Sequence, residues 1–258
     1  MSELHFTDTH AHIFAPEFEE DFDAVLQRAE EAHVDRIMII TLSVPETEKA
    51  LAFARKDPKR YQVAAGIFPE DIKDRTEQDW QAFQKIAADP GVACIGEIGL
   101  DYYWEKDPEV RKLQREWFIR QIQLANTLKK PYLVHSRDAM QDTFDIMKEQ
   151  GGRGLMHCFA GTKEMAREFT KRGFYIALGG AVTFKNARHS VEVCEDIDIR
   201  FLLSETDCPY MAPVPKRGTR NEPANIPLIV QKMADIRGLS LEDMAARIEE
   251  NWTRFLHG

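Results

Sequence analysis

Eight short apolar runs alternate with longer amphipathic ones along the 258 residues, and this alternation limits the folds open to the chain more than any other feature. The short runs cover residues 4–10, 36–41, 62–68, 93–99, 131–136, 153–159, 174–180 and 201–206. Several are apolar almost throughout, as in Ile37-Met38-Ile39-Ile40, which suits a parallel strand buried on both faces. The segments between them carry helical spacing. From Asp107 to Lys130, apolar residues recur at Val110, Leu113, Trp117, Phe118, Ile122, Ala125 and Leu128, with Asp107 as N-cap and Pro108 at the first helical position. Further helices are expected over 17–33, 46–57, 77–89, 138–150, 163–171, 186–196 and 226–237. A last helix starts at Ser240, where Asp243 forms a variant of the capping box.

Eight strand–helix units in roughly 250 residues is the size of a (β/α)8 TIM barrel, here one domain over residues 1–258. A doubly wound open sheet is the rival, because periodicity does not report closure. The count of eight favours the barrel. A barrel would carry its active site at the C-terminal ends of the strands.

Those ends are where the polar residues fall. The first run leads into Asp8-Thr9-His10-Ala11-His12, and side chains two apart on a strand point the same way. The fourth leads into Gly96-Glu97-Ile98-Gly99-Leu100-Asp101, the fifth into Val134-His135-Ser136-Arg137, the sixth into Met156-His157-Cys158 and the eighth into Glu205-Thr206-Asp207. Four of the eight histidines therefore end apolar runs, where core residues belong. Unpaired buried polar groups cost several kcal/mol, and a metal removes the conflict because imidazole and carboxylate are its usual ligands. Six ligands exceed one tetrahedral ion. Two ions need a bridging carboxylate, and Glu97 is the choice. His10, His12 and Asp207 would hold one ion with Glu97, and His135 and His157 the other with Glu97. Four imidazoles favour zinc or manganese over magnesium, which prefers oxygen.

These motifs resemble the TatD family of metal-dependent nucleases among the amidohydrolase-like barrels. The matching blocks are Asp8-Thr9-His10-Ala11-His12, Gly96-Glu97-Ile98-Gly99-Leu100-Asp101-Tyr102-Tyr103 and Val134-His135-Ser136-Arg137. The others are His157-Cys158-Phe159-Ala160-Gly161, Glu205-Thr206-Asp207-Cys208-Pro209-Tyr210 and Arg217-Gly218-Thr219-Arg220-Asn221-Glu222-Pro223. The resemblance implies a TIM barrel, metal-dependent hydrolysis of DNA phosphodiesters by metal-activated water, a 3′-exonuclease action on single strands, and activity with magnesium. It also implies the six metal ligands chosen above. One departure stands out: where the family usually reads Gly-x-His-Pro, this chain reads Gly66-Ile67-Phe68-Pro69. Phe68 cannot ligate a metal or transfer a proton, but it can pack or stack on a base.

Remaining roles follow from position. Asp207 would ligate and accept a proton from the attacking water, with Glu97 beside it in catalysis. Glu205 shares its side of the strand and stands outside the ligand ring. Asp8 would buttress the first strand, and Asp101 would orient a ligand or a tyrosine. Arg137, Lys185, Arg217 and Arg220 are candidate phosphate contacts; Tyr102, with Tyr103 and Trp104, is a candidate stacking or lid residue.

The charge balance, 34 basic against 43 acidic for a net of −9, excludes nucleic-acid binding through a broad basic surface. It leaves room for a basic rim around a site whose ions supply positive charge. Cys94, Cys158, Cys194 and Cys208 form no C-x-x-C pair, which points to a reducing compartment, the cytoplasm. The start, Met-Ser-Glu-Leu-His-Phe-Thr-Asp, lacks the apolar stretch of a secretory signal, and no run nears the ~20 residues that span a bilayer. A barrel of this size needs no partner to bury its core, so a monomer is expected. The alternative function is an amidohydrolase-like enzyme cleaving an amide, ester or lactone. Many such enzymes bridge their metals with a carboxylated lysine, a place Glu97 fills here. A non-catalytic metal-binding protein is a third reading, opposed by the intact ligand set.

Overall fold

The computed structural model describes residues 4–258. Eight parallel strands pair in sequence order: β1 (Phe6–Ala11), β2 (Val34–Thr41), β3 (Tyr61–Ala65), β4 (Val92–Asp101), β5 (Tyr132–Arg137), β6 (Gly154–Met156), β7 (Tyr175–Leu178) and β8 (Leu202–Ser204). The ends of the sheet meet. A parallel bridge joins Ala11 to Cys208, the Asp207 N–H donates to the His10 carbonyl at 2.9 Å, and the His12 N–H donates to the Cys208 carbonyl at 2.9 Å. Sequential parallel pairing with near-closure is the (β/α)8 barrel.

The helices alternate with the strands: α1 (Phe22–Glu31), α2 (Val44–Ala54), α3 (Glu77–Ala87), α4 (Pro108–Leu128), α5 (Met140–Gln150), α6 (Lys163–Thr170), α7 (Arg188–Asp196), α8 (Ile226–Arg237) and α9 (Leu241–His257). Each presents an apolar stripe to the sheet; α9 buries Met244, Ile248, Trp252 and Phe255. The cap of α4 is as expected, with the Asp107 side chain accepting from the Glu109 N–H at 2.9 Å. At α9, Ser240 accepts from the Asp243 N–H at 3.0 Å, but Asp243 answers the Ser240 hydroxyl rather than its backbone. Among the described residues, no helix is long and apolar enough to cross a membrane.

Two expectations need correction. The helix expected over 17–33 is split into a 3-10 turn at Pro16–Phe18, opened by Pro16, and then α1, with Asp21 outside helical geometry between them. Four runs expected to stay extended, over 62–68, 153–159, 174–180 and 201–206, leave the sheet early, at Ala65, Met156, Leu178 and Ser204. Their last residues turn into the mouth. Asp138, Cys158, Asp207 and Met211, all in loops leaving strands, take φ values of 54°, 43°, 55° and 56°. Non-glycine residues adopt that left-handed region rarely and at a cost, and such strain gathers at functional sites.

Glycine supplies the close approach beneath the site. A Cβ on Gly66 would strike the backbone of Gly96 and Glu97, and one on Gly99, at φ 143°, would strike the His135 carbonyl. The two glycines let β3 and β5 close in on the stretch of β4 that carries Glu97.

Candidate metal centre

His10 lies on β1 and His12 one residue past its end, and their Nε2 atoms are 3.3 Å apart. Both face one oxygen of Glu97: Oε2 is 3.3 Å from His10 Nε2 and 3.5 Å from His12 Nε2. Asp207 Oδ1 stands 3.8 and 3.7 Å from the same two nitrogens. The other Glu97 oxygen turns to the far side. Oε1 is 3.0 Å from His135 Nδ1 and 2.8 Å from His157 Nε2. All six expected ligands therefore converge, with Glu97 between two groups and one oxygen toward each.

Donor atoms lie within 4.8 Å of one another in His10–His12–Asp207, in Glu97–His135–His157, and in His10–His157–Glu205. Three buried atoms of this centre, His10 Nδ1, His157 Nδ1 and Glu205 Oε2, have no hydrogen-bond partner. Buried polar atoms without partners are costly, so imidazoles and carboxylates packed this tightly fit a site built for cations.

Outer carboxylates orient the ligands. The His135 Nε2–H donates to Asp101 Oδ2 at 3.0 Å, which turns Nδ1 toward Glu97. Glu205 accepts from the Cys158 N–H and lies 3.6 Å from His157 Nδ1. Asp8 joins β1 to the chain after β8, accepting from the Thr206 N–H at 2.8 Å and its hydroxyl at 2.6 Å. Phe68 is half-buried and packs edge-on against His135, ring centres 4.9 Å apart.

The charges are mutually constrained. Burial lowers His10 to about 3, helped by the nearby His157, and burial also lowers His12. Burial raises Asp207 to about 8 and Asp8 to about 7. Burial opposes the charged form of Glu97, yet His157, His10 and His135 outweigh it and hold its carboxyl well below the usual range. Burial likewise opposes protonation of His135 and His157. Asp101 and Glu97 overcome it at His135, and Glu97 and Glu205 at His157, so both are raised. A bound dication would stand in for these shared protons.

The rim differs from expectation at two residues. Tyr102 is buried, with its hydroxyl donating to Asp142 Oδ2 at 2.7 Å and accepting from Arg115 Nη1 at 3.0 Å, so its ring is committed to the fold. Tyr103 and Trp104 are the rings that face solvent. Arg220 is tied down by Asp21, at 2.7 and 2.8 Å, and by the Glu17 carbonyl at 2.6 Å. The next-but-one residue, Glu222, pairs with Arg28 at 2.6 Å. The Arg-Gly-Thr-Arg-Asn-Glu-Pro block thus fastens the loop after β8 to α1 and the turn before it. Arg217 is exposed and lies 4.3 Å over the Phe184 ring; Lys185 and Arg137 are exposed as well.

Three positioning residues escaped the sequence reading. Gln121 accepts from the Ile67 N–H at 2.8 Å and donates to the Ile67 carbonyl at 3.1 Å, fixing the backbone beside Phe68. Gln114 accepts from the Asp101 N–H at 3.0 Å and donates to the Pro69 carbonyl at 3.2 Å. Both glutamines sit fully buried on the apolar stripe of α4, and a polar residue on such a stripe was the available signal. Asn221 donates to the carbonyls of Thr206 and Tyr210, each at 2.8 Å, and so holds the turn that carries Asp207.

An eight-stranded barrel with histidines and carboxylates gathered at its C-terminal mouth has the build of a metal-dependent enzyme. Comparison with known proteins narrows this. The family described as TatD related DNase matches residues 7–257, and the chain belongs to it. It is 39% identical over 250 residues to the uncharacterized metal-dependent hydrolase YabD of Bacillus subtilis, covering 96% of this chain and 97% of that one. It is 33% identical over 260 residues to the uncharacterized metal-dependent hydrolase YcfH of Escherichia coli K12, covering 98% and 96%. Among solved structures, the TatD homolog YjjV of Escherichia coli K12 superposes with a TM-score of 0.90 at 26% identity, covering 98% of each chain.

Proposed function

We propose that this chain hydrolyses the phosphodiester bonds of DNA, acting on single strands from the 3′ end, with two divalent ions held at its barrel mouth. The observation that carries this reading is Glu97. Its Oε2 faces His10 and His12 at 3.3 and 3.5 Å, while its Oε1 faces His135 and His157 at 3.0 and 2.8 Å. A carboxylate shared in this way suits a pair of ions, which is the arrangement that clamps both oxygens of a phosphoryl displacement. Zinc, manganese or magnesium bound there would supply Lewis acidity, lowering the pKa of water toward neutrality and drawing charge from the phosphoryl oxygens.

The protein's own groups do the rest. Asp207, partly exposed at the mouth beside His10 and His12, accepts the proton of the attacking water. Asp101 keeps His135 aimed inward through its hydrogen bond, and Glu205 places negative charge 3.6 Å from His157 Nδ1. Exposed Arg137, Lys185 and Arg217 supply positive charge on a chain whose net charge is −9, which suits a phosphate-bearing substrate. The four cysteines are free thiols, which supports work in the reducing cytoplasm.

The test is digestion of a 5′-labelled single-stranded oligonucleotide with magnesium, manganese or zinc, with Glu97→Ala alongside. A metal-dependent ladder shortening from the 3′ end, absent in the variant, is the expected result. A wild-type protein that holds two ions and leaves the oligonucleotide intact would instead be an amidohydrolase-like enzyme acting on an amide, ester or lactone.

A further inference from the structure

Among the described residues, six large apolar side chains are exposed, and five of them border the barrel mouth. Tyr103 and Trp104 follow β4, while Tyr210, Met211 and Val214 follow β8. In the strand order of the barrel these two loops stand on opposite sides of the metal centre. Trp104 is 63% exposed and Tyr103 43%. A tryptophan left in water forgoes a large burial gain, so its position calls for a partner.

The loop after β4 does not expose these rings through slackness. Asp101 Oδ1 accepts from the Tyr103 N–H at 2.9 Å and the Trp104 N–H at 3.1 Å. Lys106 and Arg111 donate to the Tyr102 carbonyl at 2.7 and 2.9 Å, and the buried Tyr102 lies beneath Arg111. The rings are held out on a fixed base. They meet edge to face at 4.7 Å, and the Arg137 guanidinium lies 3.8 Å from the Tyr103 ring centre and 5.6 Å from that of Trp104. No ion pair within 4.0 Å occupies Arg137 among the described residues, so its charge is available next to the rings.

The same base reaches the metal centre. The second oxygen of Asp101 receives the His135 Nε2–H at 3.0 Å. One carboxylate therefore sets both the turn that presents the rings and a ligand that would position the scissile phosphate.

We propose that Trp104 and Tyr103 form a stacking face for a nucleobase next to the scissile phosphate, with Arg137 on the adjoining backbone phosphate. The proposal rests on the nuclease reading and adds its base-binding residues. A flat π face accepts any of the four bases, and it does so only when the base is free of its neighbours and its pairing partner. The cation beside the rings suits the phosphate that accompanies each base.

The test crosses one protein change with one substrate change. Wild type and Trp104→Ala are each given a 5′-labelled single strand with all its bases. They are also given strands with an abasic tetrahydrofuran residue on either side of the 3′-terminal phosphodiester. On the intact strand, Trp104→Ala is expected to lower kcat/KM by roughly 5- to 150-fold. On one of the abasic strands wild type falls by a similar factor, and the variant falls no further. Trp104→Phe, which keeps a ring, recovers most of the loss, and an unchanged metal content separates stacking from damage to the centre. Equal rates for wild type and Trp104→Ala on the intact strand would overturn the proposal and leave the face for a protein partner. Independent, multiplying losses from variant and abasic residue would overturn it too. If wild type cleaves none of the strands, the nuclease reading itself fails, an outcome distinct from either of these.

Discussion

On the β1 and β8 side of the mouth, burial drives His10 and His12 toward neutrality and leaves Asp207 holding a proton up to about pH 8. On the β4, β5 and β6 side the roles reverse. There His135 and His157 are raised, while Glu97 and Asp101 are lowered below their ordinary values. The cause is geometric. Glu97 approaches His157 and His135 at 2.8 and 3.0 Å but His10 and His12 only at 3.3 and 3.5 Å, Asp101 bonds His135, and Glu205 faces His157 Nδ1 at 3.6 Å. Protons balance the second half, whereas the first half stays short of positive charge. Divalent ions, were they to enter both halves as proposed, would displace protons from different places: from a carboxyl on one side and from imidazoles on the other.

Glu97→Gln keeps the volume but removes the charge that both halves share, and the largest effect is expected there. Hydrolysis of an oligonucleotide is expected to fall by about 10³-fold, measured as kcat/KM at saturating metal. Asp101→Ala should act on one half only. It leaves His135 without its outer carboxylate, so affinity for an ion at His135 and His157 is expected to drop about 10- to 100-fold while one at His10 and His12 stays. Competition with a metal indicator dye would resolve the two steps.

The two halves also differ in their pH dependence. Asp207 is raised from 3.8 to about 8 in the folded protein, so the fold binds that proton more tightly than the unfolded chain does. In the metal-free protein this contribution is fully present below about 3.8 and is lost as pH rises through 8. His10 has the opposite consequence. Lowered from 6.5 to about 3, it supplies stability that is present above 6.5 and lost as pH falls toward 3. Metal removes the Asp207 penalty, so the rise in Tm on adding manganese should grow from about pH 6 to pH 8 and then level off. Raised His135 and His157 push in the same direction. A shift in Tm that shrinks over this range would contradict the assignment.

The smallest effect belongs to Arg220→Ala. Its guanidinium is bound by Asp21 and the Glu17 carbonyl, so a small fall in Tm with little change in kcat/KM is expected.

The barrel was legible because burial writes itself into the sequence. Strands buried on both faces read as runs such as Ile37–Ile40, and helices as stripes such as that of α4. The cluster at the mouth was legible for the converse reason: His10, His135 and His157 end apolar runs where polar atoms are costly. Three adjacent rings, Tyr102, Tyr103 and Trp104, could not be told apart, since only the turn bound to Asp101 decides which one is buried. The tie between Arg220 and Asp21 was not legible, because the two lie 199 residues apart in the chain and no local pattern announces such a pair. Gln114 and Gln121 did leave a mark, as polar residues on an apolar stripe.

One carboxylate, Glu97, stands between the two halves of the proposed metal centre. The most direct test of that centre is the number of ions bound per chain, found by titrating the metal-free protein with manganese in a calorimeter and checking the product by elemental analysis. Two ions per chain in wild type, and no more than one held tightly in Glu97→Ala, is the predicted result. A single ion in wild type, or two held equally well without the Glu97 carboxylate, would contradict it.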